Sequence, residues 1–173
     1  MSCETFSHQA ENFLKAHKEI VNVGLSAITR SPNNYYEEID KVISKYNSIV
    51  GNSGLKIGER TLRPGKGESG VIVSHTERRF VSPPIGKNKA KLILDEKGGE
   101  AEITVNVCTY NLKGEFEKLV TWDINATKDA KDNTHGKRVI DIPDPKNKGI
   151  TVSIQSNSLL KTWEYHIELE VED

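Results

Sequence analysis

His166 stands between Glu164 and Glu168 at two-residue spacing. On a strand, alternate side chains share one face, so three groups that can move protons or hold a metal would line up. A solvated outer sheet face shows the same pattern, and the four remaining histidines (His8, His17, His75 and His135) give no helix-borne metal spacing. Serine, histidine and aspartate all occur, but no Gly-x-Ser-x-Gly elbow singles out a serine nucleophile. A hydrolase or metal enzyme using His166 and Glu168 therefore stands as a third reading.

Gly65-Lys66-Gly67-Glu68-Ser69-Gly70 carries the letters of a glycine-rich phosphate loop. In a dinucleotide fold that loop opens a helix whose N-terminus faces the phosphates. Here Val71-Ile72-Val73 follows, which reads as a strand, so a flexible turn is expected instead. Asp123, Asp129, Asp132, Asn133, Asp141 and Asp144 gather hard oxygens around one polar stretch. Calcium takes six to eight such ligands, which makes Asp129, Asp132 and Asp141 the metal candidates. Their spacing matches no EF-hand, and Asp and Asn also favour turns. No cofactor is expected.

The formal net charge is −1, so the molecule as a whole is no polyanion binder. Its cations are nonetheless concentrated between Lys56 and Lys97. Arg78, Arg79, Lys87, Lys89 and Lys91 are the expected contacts for a charged partner; lysine on strand edges also discourages edge-to-edge pairing. Nucleic acid would want basic and aromatic residues interleaved, and this segment offers only Phe80. A sugar ring could stack on Trp122, Tyr110 or Trp163. Trp163 and Trp122 are better placed to fill a core.

The elements that must position these residues divide the 173-residue chain in two. From Glu11, apolar residues recur at helical spacing through Ile28. Ser31-Pro32 suits a cap and first turn, and a second stripe runs from Tyr35 to Ile49. Gly51-Asn52-Ser53-Gly54 ends that pattern. Past it the period becomes two. The sharpest instance is Trp163, Tyr165, Ile167, Leu169 and Val171, separated by Glu164, His166, Glu168 and Glu170. Strands are expected near 55–61, 71–76, 89–94, 101–112, 116–125, 138–142, 149–155 and 162–171, with an exposed polar loop over 126–137. Gly98-Gly99, Lys113-Gly114 and Pro143 to Pro145 supply turns between them.

The expected fold is α+β: two N-terminal amphipathic helices (residues 1–50) packed on a jelly-roll-like antiparallel β-sandwich of about eight strands (55–173). With no assembled catalytic signature, the expected function is a non-catalytic intracellular binding or interaction module, a candidate subunit of a larger assembly. Its expected partner is a protein or a second copy. The alternative is a membrane-active, pore-forming-like protein using the first helix, although that stripe has one Phe and a polar face mixing Glu and Lys. The start shows no apolar leader, no run approaches a membrane span, and Cys3 and Cys108 lack metal spacing. These features together predict a cytoplasmic protein with two free thiols.

Overall fold

The computed structural model describes Cys3, residues 62–132 and residues 136–172. Eight strands occupy that region: β1 (Glu68–Ile72), β2 (Glu77–Val81), β3 (Lys89–Gly99), β4 (Glu102–Asn111), β5 (Phe116–Asn125), β6 (Lys137–Asp141), β7 (Lys148–Ser156) and β8 (Trp163–Glu172). One short helix, α1 (Ala126–Asp132), joins β5 to β6. The strands form two four-stranded sheets ordered β1-β8-β3-β6 and β2-β7-β4-β5. Every pairing between them is antiparallel. Chain-adjacent strands mostly alternate between sheets, which gives the wound path of an eight-stranded jelly roll.

This corrects the α+β class. That class rested on the helical stripes of residues 11–50, which lie outside the described residues, as does the strand expected over 55–61. Within 62–172 the two-residue alternation governs the chain except at α1. There Asn125, the residue before the helix, accepts from Lys128 N through Oδ1 at 3.0 Å. It caps a seven-residue helix where the sequence predicts a loop. The strand expected over 71–76 is also redrawn. Val73 to Thr76 make a turn closed by Thr76 N to Val73 O at 3.2 Å, with separate strands on either side.

The core lies between the sheets. β8 contributes Trp163, Tyr165, Ile167 and Leu169, and β3 contributes Leu92 and Leu94. From the other sheet come Phe80, Ile103, Val105, Val107, Val152 and Ile154. Trp163 stacks on Tyr165 with centroids 5.5 Å apart, and Phe80 meets Tyr165 edge-on at 6.1 Å. The indole Nε1 donates to Glu96 Oε2 at 2.6 Å in a buried site, which gives a polar tip the partner that burial demands. Gly70 sits where β1 crosses this cluster. A Cβ there would lie 2.6 Å from the Tyr165 hydroxyl and 2.8 Å from Arg78 Nη1. Gly70→Ala is expected to destabilise the fold by about 1–3 kcal/mol through overpacking, measured by urea unfolding.

Part of the second sheet is buried on its outer face as well. Thr151 and Ser153 of β7 point away from the core yet are fully buried, and Cys108 and Tyr110 of β4 are nearly so. Cys108 is disulfide-bonded to Cys3, which places Cys3 against that face. The expectation of two free thiols is thereby corrected.

Candidate functional site

The outer face of β1-β8-β3-β6 gathers Glu164, His166, Glu168, Lys89, Lys91 and Asp141 from among the residues singled out for chemistry. Because Trp163, Tyr165, Ile167 and Leu169 point inward, Glu164, His166, Glu168 and Glu170 must point outward. Pairing then sets their neighbours. Ser69 and Asp95 flank His166, Ile93 faces Glu168, Lys91 faces Glu170, and Lys89 faces Glu172. On the far side of β3, Asp141 of β6 stands opposite Lys91.

At the middle of the face, Ser69 Oγ and His166 Nδ1 are hydrogen-bonded at 2.7 Å. His166 Nε2 lies 3.9 Å from Glu168 Oε2. That is too long for a hydrogen bond. A general base needs its second ring nitrogen held by an orienting partner, and Glu168 does not supply that bond. Asp95, the acid across from His166 on β3, pairs instead with Lys97 at 2.9 Å. Gly67 packs against the imidazole so closely that a Cβ would collide with Nε2 and Cε1. The glycine-rich run is thus explained by packing: Gly65 turns the chain with φ +78°, while Gly67 and Gly70 make room for His166 and Tyr165. Its second half is strand β1 and not the flexible loop expected.

At one end of the face lies a shallow hollow of about 160 Å³ lined by Lys89, Lys91, Asp141, Glu170 and Glu172, with Ala90 and Val171 supplying apolar lining. Lys91 Nζ is 3.8 Å from Glu170 Oε1, a loose pair with both side chains about half exposed. Ion pairs of this kind contribute little to stability and leave both charges open to a partner.

The remaining expected residues are dispersed. Arg79 projects from β2 on the opposite side of the sandwich and pairs with Glu77 at 2.8 Å. Arg78 turns toward the interior and donates to the Tyr165 hydroxyl at 3.3 Å. Lys87 is half-buried in the segment between β2 and β3. The five cations therefore form no single patch; Lys89 and Lys91 stay together because alternate residues of one strand share a face. Asp129 on α1 lies 3.9 Å from Arg138 at the start of β6, whereas Asp141 ends that strand. The side chain of Asp132 lies outside the described residues. Among the described residues no three His, Cys, Asp or Glu side chains converge as metal ligands. Of the aromatics considered for sugar stacking, Trp163 and Tyr110 are buried and Trp122 packs against the core. Tyr110 donates its hydroxyl proton to Ser82 O at 2.6 Å.

Sequence reading did not single out Glu170 and Glu172, two of the three acids of the hollow. The signal was present in Glu170 and Glu172, which alternate with Leu169 and Val171, but only strand pairing places them across from Lys91 and Lys89. Among the described residues no helix is long and apolar enough to cross a membrane.

The chain matches no protein-family description and no curated protein. Similar solved structures include a mitogen from Yersinia pseudotuberculosis, at 15% identity over 62% of this chain and 86% of that one, with a TM-score of 0.40. A second is the pre-peptidase C-terminal domain of a Bacillus anthracis collagenase, at 6% identity over 64% and 93%, with a TM-score of 0.42. A third is a family GH115 4-O-methyl-α-glucuronidase, at 10% identity over 80% of this chain and 24% of that one, with a TM-score of 0.38. At scores this low none of the three carries weight for function.

Proposed function

We propose that the chain is a non-catalytic binding module that docks a protein partner on the outer face of β1-β8-β3-β6. The observation that supports this reading is the hollow at the end of that face. Its volume of about 160 Å³ is below the range of roughly 300–1,000 Å³ usual for small-molecule sites. It suits one protruding side chain of a partner. Both signs of charge line it, so it selects by complementarity: Lys89 and Lys91 receive acids, and Asp141, Glu170 and Glu172 receive bases. The apolar lining from Ala90 and Val171 gives a seated side chain something to bury against.

The working environment follows from the cysteines. A bond between Cys3 and Cys108 persists in an oxidising compartment and is rare in a reducing cytosol. We infer that the protein works in an oxidising setting and not in the cytoplasm.

Crosslinking in the native source, followed by calorimetry with the purified partner, tests the docking face. Reversing Lys89 and Lys91 together to Glu is expected to weaken binding by at least about tenfold, since paired charges in a contact patch act on dissociation. Arg79→Glu, on the opposite side, is expected to leave affinity within about twofold, the usual effect of a residue outside the contact. Equal affinities for the two variants would remove this face from the reading.

A further inference from the structure

At the opposite end of β3 and β8 from the hollow, two turns are tied into one rigid tip. His75 N donates to Ser158 O at 3.2 Å, and Leu160 N donates to Ser74 Oγ at 3.1 Å. Ser158 Oγ in turn accepts from Glu102 N at 2.7 Å, and Asn157 N donates to Glu102 O at 2.8 Å. Thus the turns after β1 and after β7, and the first residue of β4, hold each other in place. This tip carries the two most exposed large apolar side chains described, Leu160 at 90% and Leu159 at 66%, together with Val73 at 48%.

Leu160 and His75 both have positive φ, 59° and 50°. A bulky residue rarely adopts that conformation, and it persists only where the surroundings enforce it. The network above enforces it, and the result is a leucine held out into water. Neither side chain contributes to the sandwich core, so stability does not account for the arrangement. Isolated exposed leucines are ordinary. Two adjacent ones on a strained, cross-braced tip beside an exposed valine form a patch of the kind that marks a contact surface.

The charges around the patch indicate what covers it. Lys161 follows the leucines, and Glu100 and Glu102 stand beside them, all three exposed. Glu100 N donates to Thr162 O at 2.9 Å, which places that acid next to the lysine's own segment. Two acids against one base disfavour an anionic lipid surface. The same set is self-complementary about a two-fold axis, with leucines meeting leucines at the centre and Lys161 of each copy facing the acids of the other. We propose that this tip is a self-association surface whose occupant is a second copy of the chain, meeting it isologously. The surface is independent of the hollow described above.

Sedimentation equilibrium on the full chain tests it. A patch this small belongs to the weak class of interfaces, so the weight-average mass should climb toward twice the single-chain value between about 10 µM and about 1 mM. Leu159→Asp combined with Leu160→Asp should remain monomeric throughout that range with an unchanged circular dichroism spectrum. Lys161→Glu and Glu102→Lys should each weaken association, and the double swap should restore it. A wild-type chain that stays monomeric at every concentration overturns the proposal. So does association that survives the leucine replacements. Co-flotation of monomeric wild-type protein with phosphatidylcholine vesicles, lost in the leucine variant, would instead assign the tip to a bilayer. Reversal of Lys89 and Lys91 should leave the sedimentation profile unchanged, which separates this surface from the docking hollow.

Discussion

Trp163→Ala is expected to lower the unfolding free energy by roughly 4–6 kcal/mol, the largest effect of any single replacement in the sandwich interior. Removing a fully buried indole leaves a cavity worth about 3–5 kcal/mol. The change also takes a hydrogen bond from Glu96, whose carboxylate is 3% exposed, and that adds about 1 kcal/mol or more. The two contributions can be separated. Trp163→Phe keeps much of the ring volume and the stack on Tyr165 but removes the N–H. Its expected cost of about 2–3 kcal/mol is mostly the polar part and the residual cavity. A double-mutant cycle with Glu96→Gln isolates the coupling between the two side chains. Urea unfolding followed by the fluorescence of the remaining Trp122 gives these values. A loss below about 1 kcal/mol for Trp163→Ala would place the indole outside the core, against the well-packed-core expectation.

The second large effect concerns the disulfide. Cys3 and Cys108 are separated by 105 residues, so their bond closes a long loop in the unfolded chain. On the chain-entropy argument such a closure stabilises the fold by about 4–5 kcal/mol. Cys108→Ser is expected to lower stability by that amount, which for a chain of this size lowers Tm by roughly 10–15 °C. Calorimetry of the variant beside the wild type measures it.

Much of the sandwich was legible because one rule wrote it. In β8 each inward residue is apolar and each outward one is polar, so Trp163, Tyr165, Ile167 and Leu169 announce a face before any partner strand is known. β3 reads the same way through Ala90, Leu92 and Leu94. β2 was missed because two adjacent arginines, Arg78 and Arg79, interrupt its pattern. Arg78 lies on the inward side and reaches Tyr165, so an inward position carries a charge. α1 was missed because its seven residues are too few to show a period, and only the Asn125 cap betrays it. The disulfide was missed because cysteine spacing says nothing about distance across a sheet. Pairing and register explain the rest of the shortfall at the candidate site. Lys89, Lys91 and Asp141 were each visible as charges, but their common hollow depends on β6 and β8 flanking β3. That neighbourhood is set by the whole winding of the chain and by no local segment.

The position of β8 has a temporal consequence. It is the last strand in the chain order, yet it lies inside its sheet, bonded to β1 on one side and β3 on the other. Ser69 and His166, direct cross-strand neighbours, are 97 residues apart. During synthesis at about 5–20 residues per second, β1 must therefore wait several seconds for β8, its sheet neighbour among the described strands, to emerge. The nascent polypeptide holds an unmatched strand edge and a half-built interior throughout that interval, and the domain snaps shut only when its tail arrives. A cell making this protein would gain from a chaperone that shields the exposed edge until then.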